Sequence, residues 1–186
     1  QCQASHLILA AGAWLPGLKE LLHVNLPLEI ERQMSHWFKP SSSDAKFKAP
    51  NTPVGLFELP GDMSLTMPDE GHGVKCGKHH NGLPTSPEAV NRVVSDAENE
   101  ESRRILEEIM PGAGGKFLDA RVCLYTNTPD KHFIIDWAQG GKTLVLSPCS
   151  GHGFKFASAI GEVAAQLVLD GKTWIDLTPF SLKRFD

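Results

Sequence analysis

Apolar and polar positions change period once, sharply, near the C-terminal end of the chain. Thr143–Leu146 is a continuous apolar run rich in β-formers, which predicts a buried strand. From Phe154 the spacing turns helical: Phe156, Ile160, Val163, Ala164 and Leu167 fall on one helix face, and Gly171 predicts the stop. Cys149-Ser150-Gly151-His152-Gly153 forms the turn between them, and its two glycines let a backbone approach closely. The opening of such a helix carries free N–H groups and partial positive charge, to which Lys155 adds a full charge. An anion or an electron-rich ring suits that place. An ordinary strand–turn–helix unit that holds nothing fits the same spacing.

The remaining elements are shorter. His6–Ala11 predicts a buried strand, running through a small-residue turn into a helical turn over Gly17–Leu22. Leu26–Phe38 alternates well enough for one or two strands, and Lys39–Pro53 predicts a surface loop. Val54–Leu59 and Ser64–Met67 predict strands around a Pro60-Gly61-Asp62 turn. Gly73–His80 alternates, so a strand there puts Lys75, Gly77 and His79 on one face and Val74, Cys76 and Lys78 on the other. Ser86–Met110 predicts helix in two parts: one beginning at Ser86-Pro87-Glu88, and a charged one over Asp96–Met110 with Ile105, Leu106 and Ile109 inward. Strands are expected over Leu118–Thr128 and Phe133–Asp136, and an extended tail over Trp174–Phe185.

Composition narrows the function classes. The chain has 186 residues, long enough for one domain or two small ones, with 41% hydrophobic and 22% charged residues as in a globular protein. A net charge of −4 without a Lys/Arg run argues against a nucleic-acid partner, and no apolar stretch is long enough to span a membrane. Cys2, Cys76, Cys123 and Cys149 form no CxxC pair and read as separate thiols in a reducing, cytoplasmic compartment. A start at QCQASHLILAAGAW, with a strand pattern almost at once, reads as a piece of a longer protein.

Three constellations carry possible chemistry. On a strand, Lys75 and His79 lie about 13 Å apart along one surface, which suits two ends of one pocket and equally suits a solvated face. His72, Cys76, His79 and His80 are dense enough for zinc, but Cys76 and His79 point to opposite strand faces and no second ligand pair follows. Ser150 and His152 do not make a hydrolase nucleophile elbow, because Pro148 stands where the first Gly belongs. No G-x-G-x-x-G follows a strand, so a dinucleotide site would lack its phosphate-binding half.

Three motifs in register resemble a known family. Cys123-Leu124-Tyr125-Thr126-Asn127-Thr128-Pro129-Asp130, Phe133-Ile134-Ile135-Asp136 and Ser150-Gly151-His152-Gly153-Phe154-Lys155-Phe156 resemble the C-terminal half of monomeric sarcosine oxidase and N-methyltryptophan oxidase. Glu31-Arg32-Gln33, Trp37-Phe38 and the closing Asp176–Phe185 stretch fit as well, while Lys39–Pro53 and Leu59–Pro68 are least alike. The resemblance implies a mixed α/β (α+β) fold: an antiparallel-sheet substrate domain over residues 23–118, and parts of an FAD-binding α/β domain over 1–22 and 119–186. The N-terminal Rossmann half of that domain is the missing partner.

The same resemblance implies an FAD-dependent oxidoreductase. It would oxidise a secondary amine of an N-methyl, sarcosine-like amino acid to an imine, with oxygen as acceptor and hydrogen peroxide as product. Cys123 matches the cysteine that carries the flavin covalently. A buried inert thiol is the plainer reading of that residue alone. Lys75 matches a lysine that promotes reaction with oxygen, and His79 an active-site histidine near the substrate amine. Lys155 matches the lysine that holds the substrate carboxylate, and Tyr125 an aromatic near the ring. Gly151, His152, Gly153 and Phe154 match the helix opening against the flavin. A related dehydrogenase using another acceptor, or a truncated non-catalytic domain, are the alternatives.

Overall fold

The computed structural model describes residues 3–41, 45–138 and 140–186, with Leu21 and Leu22 as backbone only. Cys2 and positions 42–44 of the expected surface loop therefore lie outside the described residues. The chain forms two compact units, Gln1–Ile30 with Tyr125–Asp186, and Glu31–Leu124. Their boundaries fall inside two long strands rather than in loops, eight residues beyond position 22 and six beyond position 118.

The first unit is built on three strands. β1 (Leu7–Leu9) pairs parallel with β9 (Thr143–Ser147), and β9 pairs antiparallel with β8 (Ile134–Trp137). The pleat sends Ile134 and Val145 to one face, where they pack with Leu15, Leu26 and Ala138. Ile135, Leu144 and Leu146 go to the other face, with Phe133, Val163 and Ala164. Both faces are covered, which is why β9 reads as an unbroken apolar run. α3 (Ala157–Leu169) supplies Val163 and Ala164, with Ile160 and Leu167 beside them, as its periodicity predicts. Its first expected turn, Phe154–Phe156, is 3-10 rather than α. β1 departs from the expected burial: Leu7 is 47% and Ile8 43% exposed.

The tail does not run extended. It folds into 3-10 turns over Thr178–Phe180 and Leu182–Phe185, held by two carboxylates. Asp136 Oδ2 accepts from Ser181 Oγ at 2.7 Å and from Leu182 N at 2.8 Å. Asp130 takes Arg184 in a fork, at 2.7 and 3.2 Å. The Arg184 guanidinium, outweighing desolvation and aided by the His132 N–H, holds Asp130 well below the usual carboxylate range.

The second unit is a six-stranded sheet. Its path is β3 (Gly55–Leu59), β4 (Asp62–Met67), β5 (Val74–Lys78), β2 (Glu29–Lys39) and β6 (Leu83–Pro84), with β7 (Lys116–Asn127) also paired to β2. α2 (Asp96–Ile109) places Leu106 in a core with Phe38, Phe47, Val74, Cys76 and Ala113. Phe47 sits in the expected surface loop yet is only 3% exposed, because it fills that core.

No helix starts at Ser86. The Ser86 side chain caps only a turn, accepting from Ala89 N at 3.2 Å. The carbonyls of Asn91 and Val93, which a helix would need, accept instead from Arg32 Nε at 2.7 Å and Nη2 at 2.9 Å. α2 begins at a capping box, with Ser95 N donating to Glu98 Oε2 at 2.7 Å and Glu98 N to Ser95 Oγ at 3.3 Å. Arg32 Nη1 completes the arrangement on Glu98 Oε1 at 2.7 Å. The Asp96–Met110 charge run is thus not wholly solvent-facing, since Lys78 Nζ also donates to Glu101 at 2.7 Å.

Two predictions follow from these charges. Arg32→Met leaves two carbonyls unpaired and takes the counter-charge from the partly solvated Glu98 carboxylate, and should lower stability by about 2–4 kcal/mol in urea unfolding of the chain. Asp130 has a folded-state pKa below its ordinary 3.8, so its contribution is full above that pH and fades as pH falls through the folded value. Asp130→Asn should therefore lower the thermal midpoint at neutral pH, and the gap from the parent chain should narrow below pH 3.8. A gap that stays constant in acid would contradict the assignment.

Candidate active site

The residues singled out by sequence fall in both units, and each group stands by itself. In the second unit, β5 carries Lys75 opposite Trp37 of β2 and Met67 of β4. Cys76 is opposite His36 and Thr66, so the pleat separates Lys75 from Cys76. Lys75 Nζ lies 5.4 Å from the centroid of the Trp37 ring, within cation–π reach. Cys76 is buried under α2, and burial pushes its thiol up to about 11 against a hydrogen bond with Ser102. A thiol so placed is a poor metal ligand. Among the described residues no three His, Cys, Asp or Glu side chains gather to hold a metal.

His79 is not on β5. The strand ends at Lys78, and the His79 N–H donates to the Met63 carbonyl at 2.7 Å as the chain enters a turn. His80 and Asn81 follow with φ of 67° and 58°, and the His79 and His80 rings meet at 4.3 Å. The simple alternation that would carry His79 onto the Lys75 face stops one residue short. Gly77 remains on that face, where an added Cβ would meet the Met34 carbonyl at 2.6 Å.

Cys123 lies on β7 with its side exposed. Crowding around the sulfur raises the thiol, and the positive charge of Lys75 acts in the opposite direction. Lys75 is thus the cation that favours a thiolate at Cys123. Arg121, two residues earlier, is committed to Asp119 at 2.8 Å on an exposed surface.

In the first unit, Tyr125 and the Cys149–Gly153 turn come together. Ser150 and Gly151 have φ of 49° and 76°. A side chain at Gly151 would run into the Tyr125 ring, and one at Gly153 into the Pro148 carbonyl, so both glycines serve close packing inside the turn. Ser150 is 1% exposed and pays for its left-handed backbone with hydrogen bonds. Its N–H donates to the Thr126 carbonyl at 2.9 Å, and its hydroxyl donates to the His132 carbonyl at 3.1 Å. Thr128 Oγ1 donates to that same carbonyl at 2.7 Å. Ser150 is therefore a structural post and no nucleophile.

The rest of the motif divides into held and open residues. His152 stacks on Phe133, ring centroids 4.8 Å apart, and its Nε2 sits 3.0 Å from the Lys131 carbonyl. Phe154 is 96% exposed, and Lys155 is exposed with Nζ 5.3 Å from the Phe156 ring. No side chain caps the start of α3 among the described residues, and the 3-10 turn before it serves instead, with Phe156 N–H donating to the Gly153 carbonyl at 2.9 Å and Ala157 N–H to that of Phe154. Sequence reasoning missed the Ser150–Thr128–His132 network and the role of Arg32. The Ser95-x-x-Glu98 capping box was the signal for the second, since it fixes the start of α2 where Arg32 reaches it.

Known proteins match this geometry and sequence. The family described as FAD dependent oxidoreductase matches residues 1–167. Monomeric sarcosine oxidase of Bacillus sp. (strain B-0618) is 38% identical over 186 residues, covering 97% of this chain and 47% of that protein. N-methyl-L-tryptophan oxidase of Escherichia coli O157:H7 (strain EC4115 / EHEC) is 40% identical over 190 residues, covering 98% and 48%. Among solved structures, L-proline dehydrogenase from P. horikoshii superposes with a TM-score of 0.76 at 21% identity, covering 97% of this chain and 46% of that one. Glycine oxidase from Geobacillus kaustophilus gives 0.73 at 18%, covering 97% and 46%. These two show a shared mixed α/β fold. The chain spans about half the length of the curated relatives it matches. With that family's model matching residues 1–167, most of its length, the chain belongs to the FAD dependent oxidoreductase family.

Proposed function

We propose that this chain is part of an FAD-dependent oxidase that converts a secondary amine of a small N-methyl amino acid to an imine, with oxygen as acceptor and hydrogen peroxide as product. The observation that carries the reading is an exposed Cys123 on β7 within the field of Lys75, a cation that itself lies against the Trp37 ring. The names of the matched relatives, a sarcosine oxidase and an N-methyltryptophan oxidase, support the substrate class.

The donor set fits a flavin. Cys123 is an exposed residue whose thiol burial raises overall, and the charge of Lys75 offsets part of that rise toward the thiolate a thioether tether needs. Gly151, His152, Gly153 and Phe154 form a tight turn into a helix start with no side-chain cap, whose positive end suits an electron-rich edge. FAD, when bound, supplies the two-electron oxidation. The chain's own residues bind and polarise. Lys155 provides an exposed cation for a substrate carboxylate, and Tyr125 an aromatic wall beside the turn. His79 serves the substrate amine. Lys75 holds fixed positive charge where oxygen is reduced, a form of electrostatic stabilisation. By the same reading, residues 1–22 and 119–186, which carry Cys123 and the Cys149–Gly153 turn, belong to the cofactor-binding part and residues 23–118 form the substrate-binding part, with the Rossmann half as the missing partner.

The test is a visible spectrum of the chain incubated with FAD, before and after acid precipitation. Yellow colour should stay with the pellet, and Cys123→Ser should release it to the supernatant. Colour in the supernatant of the parent chain would remove the tether, and no colour would mean that this half does not hold FAD unaided. Lys75→Met should keep the colour and slow reaction of the reduced protein with oxygen by about a hundredfold. Normal reoxidation in that variant would overturn the role of Lys75 and favour another electron acceptor.

A further inference from the structure

Two lysines on β5 are held in different ways. Lys78, on the face under α2, is committed to Glu101 at 2.7 Å and Asp62 at 3.0 Å. Lys75, on the other face, is half-buried, and among the described residues no carboxylate pairs with it and no hydrogen bond holds it. It meets the Trp37 ring instead, with Nζ 5.4 Å from the centroid. The register explains why. Lys75 pairs with Trp37 on β2 and with Met67 on β4, so these two flank it in one cross-strand row. Two residues away along its own chain, in each direction, stand Gly73 and Gly77, which have no side chain to steer it. Neither place has room for one, since an added Cβ would meet the Phe38 carbonyl at Gly73 and the Met34 carbonyl at Gly77, each at 2.6 Å. Met67 is uncharged, whereas Trp37 offers the negative face of its π-system.

The kind of partner decides what the charge can do. A carboxylate at hydrogen-bonding distance fixes an ammonium and cancels most of its field beyond the pair, as at Lys78. An indole face attracts the ammonium through its quadrupole and adds no opposite charge, so the positive charge still acts at longer range. That charge reaches Cys123 on β7, where it works against the burial that raises the thiol. Arg121, two residues from Cys123, is matched by Asp119 at 2.8 Å.

We propose that Trp37 is a positioning residue, whose indole face holds the Lys75 ammonium on the outward side of the sheet as an uncancelled charge. It acts through Lys75. The use made of that charge in reducing oxygen rests on the oxidase reading above, whereas the hold of the ring on the ammonium does not.

The experiment uses the full chain without flavin, so its failure is distinct from failure of the oxidase reading. Iodoacetamide alkylation is followed from neutral to alkaline pH and read by peptide mass spectrometry, which separates Cys123 from Cys2, Cys76 and Cys149. Below the thiol midpoint, Lys75→Met should slow alkylation of Cys123 by about threefold, because a thiolate there loses its nearby cation. Trp37→Leu should slow it as much, and Trp37→Phe, which keeps a ring face, should restore most of the rate. Trp37→Leu added to Lys75→Met should change nothing further. In the parent chain the Lys75 Cε protons, assigned by their loss in Lys75→Met, should resonate upfield of the ordinary lysine range through the indole ring current. That reading stands even if Trp37→Leu fails to fold, and ordinary shifts there overturn the proposal. A Trp37→Leu chain that is folded by urea titration and alkylates at the parent rate also overturns it. So does a slowing that persists in the Lys75→Met background, which would make Trp37 a packing residue alone. Parent-rate alkylation in Lys75→Met overturns it as well, because the ammonium is then not held where its charge reaches Cys123.

Discussion

A buried guanidinium must find an acceptor for nearly every N–H it carries, and Arg32 imposes that demand on the second unit. At 7% exposure it draws the Asn91 and Val93 carbonyls and the Glu98 carboxylate onto β2. Those carbonyls are lost to helix formation, so the segment before Ser95 stays irregular and α2 starts where the capping box allows. Desolvation alone would raise the Glu98 carboxyl. The Ser95 backbone N–H and Arg32 together outweigh it and keep Glu98 below the usual range, hence charged. With α2 fixed at that end, Leu106 closes the core over Phe38 and Val74. The sheet face under the helix is thereby committed to packing, and Lys75 and Trp37 are left to the other face.

The first unit solves a different problem, a small sheet with two faces to cover. Strict alternation on β8 and β9 divides their side chains between two cores. Asp136 lies on one of these strands without being wasted there, since its second oxygen fastens the tail through Ser181 and Leu182. Asp130 and Arg184 repeat the device one turn further on. The Phe133 ring, touched by His152, Phe156 and Phe180, ties the turn, the helix start and the tail into one cluster.

The strand–turn–helix stretch at Thr143–Gly171 was legible because its signals are local: period, glycines and a stop within thirty residues of each other. The Phe156–Leu167 face and the positive φ of Gly171 follow from that pattern. The region after Ser86 misled because Ser-Pro-Glu is a sound helix opening by local rules, while the competing acceptor demand comes from Arg32, far away in sequence. His79 shows the same limit at a strand end, where a turn of left-handed residues interrupts an alternation that the sequence continues. The tail read as extended because single 3-10 turns leave no period to detect. For the candidate site, the chemistry of Lys75 and Cys123 came from resemblance to a family, and the charge coupling between them appeared only in three dimensions.

The pleat of β5 sets a rule for how this protein can vary. Lys75 and Cys76 are neighbours with opposite surroundings, one beside Trp37 and one sealed under α2. Inserting or deleting a single residue in Val74–Lys78 would exchange the two faces, sending a lysine into the core and a thiol out of it. Length is therefore frozen along this strand, and its outward face is held as well, by the role proposed for Lys75 and by the Met34 carbonyl against Gly77. Lineages of this chain should keep their gains and losses of residues for the loops.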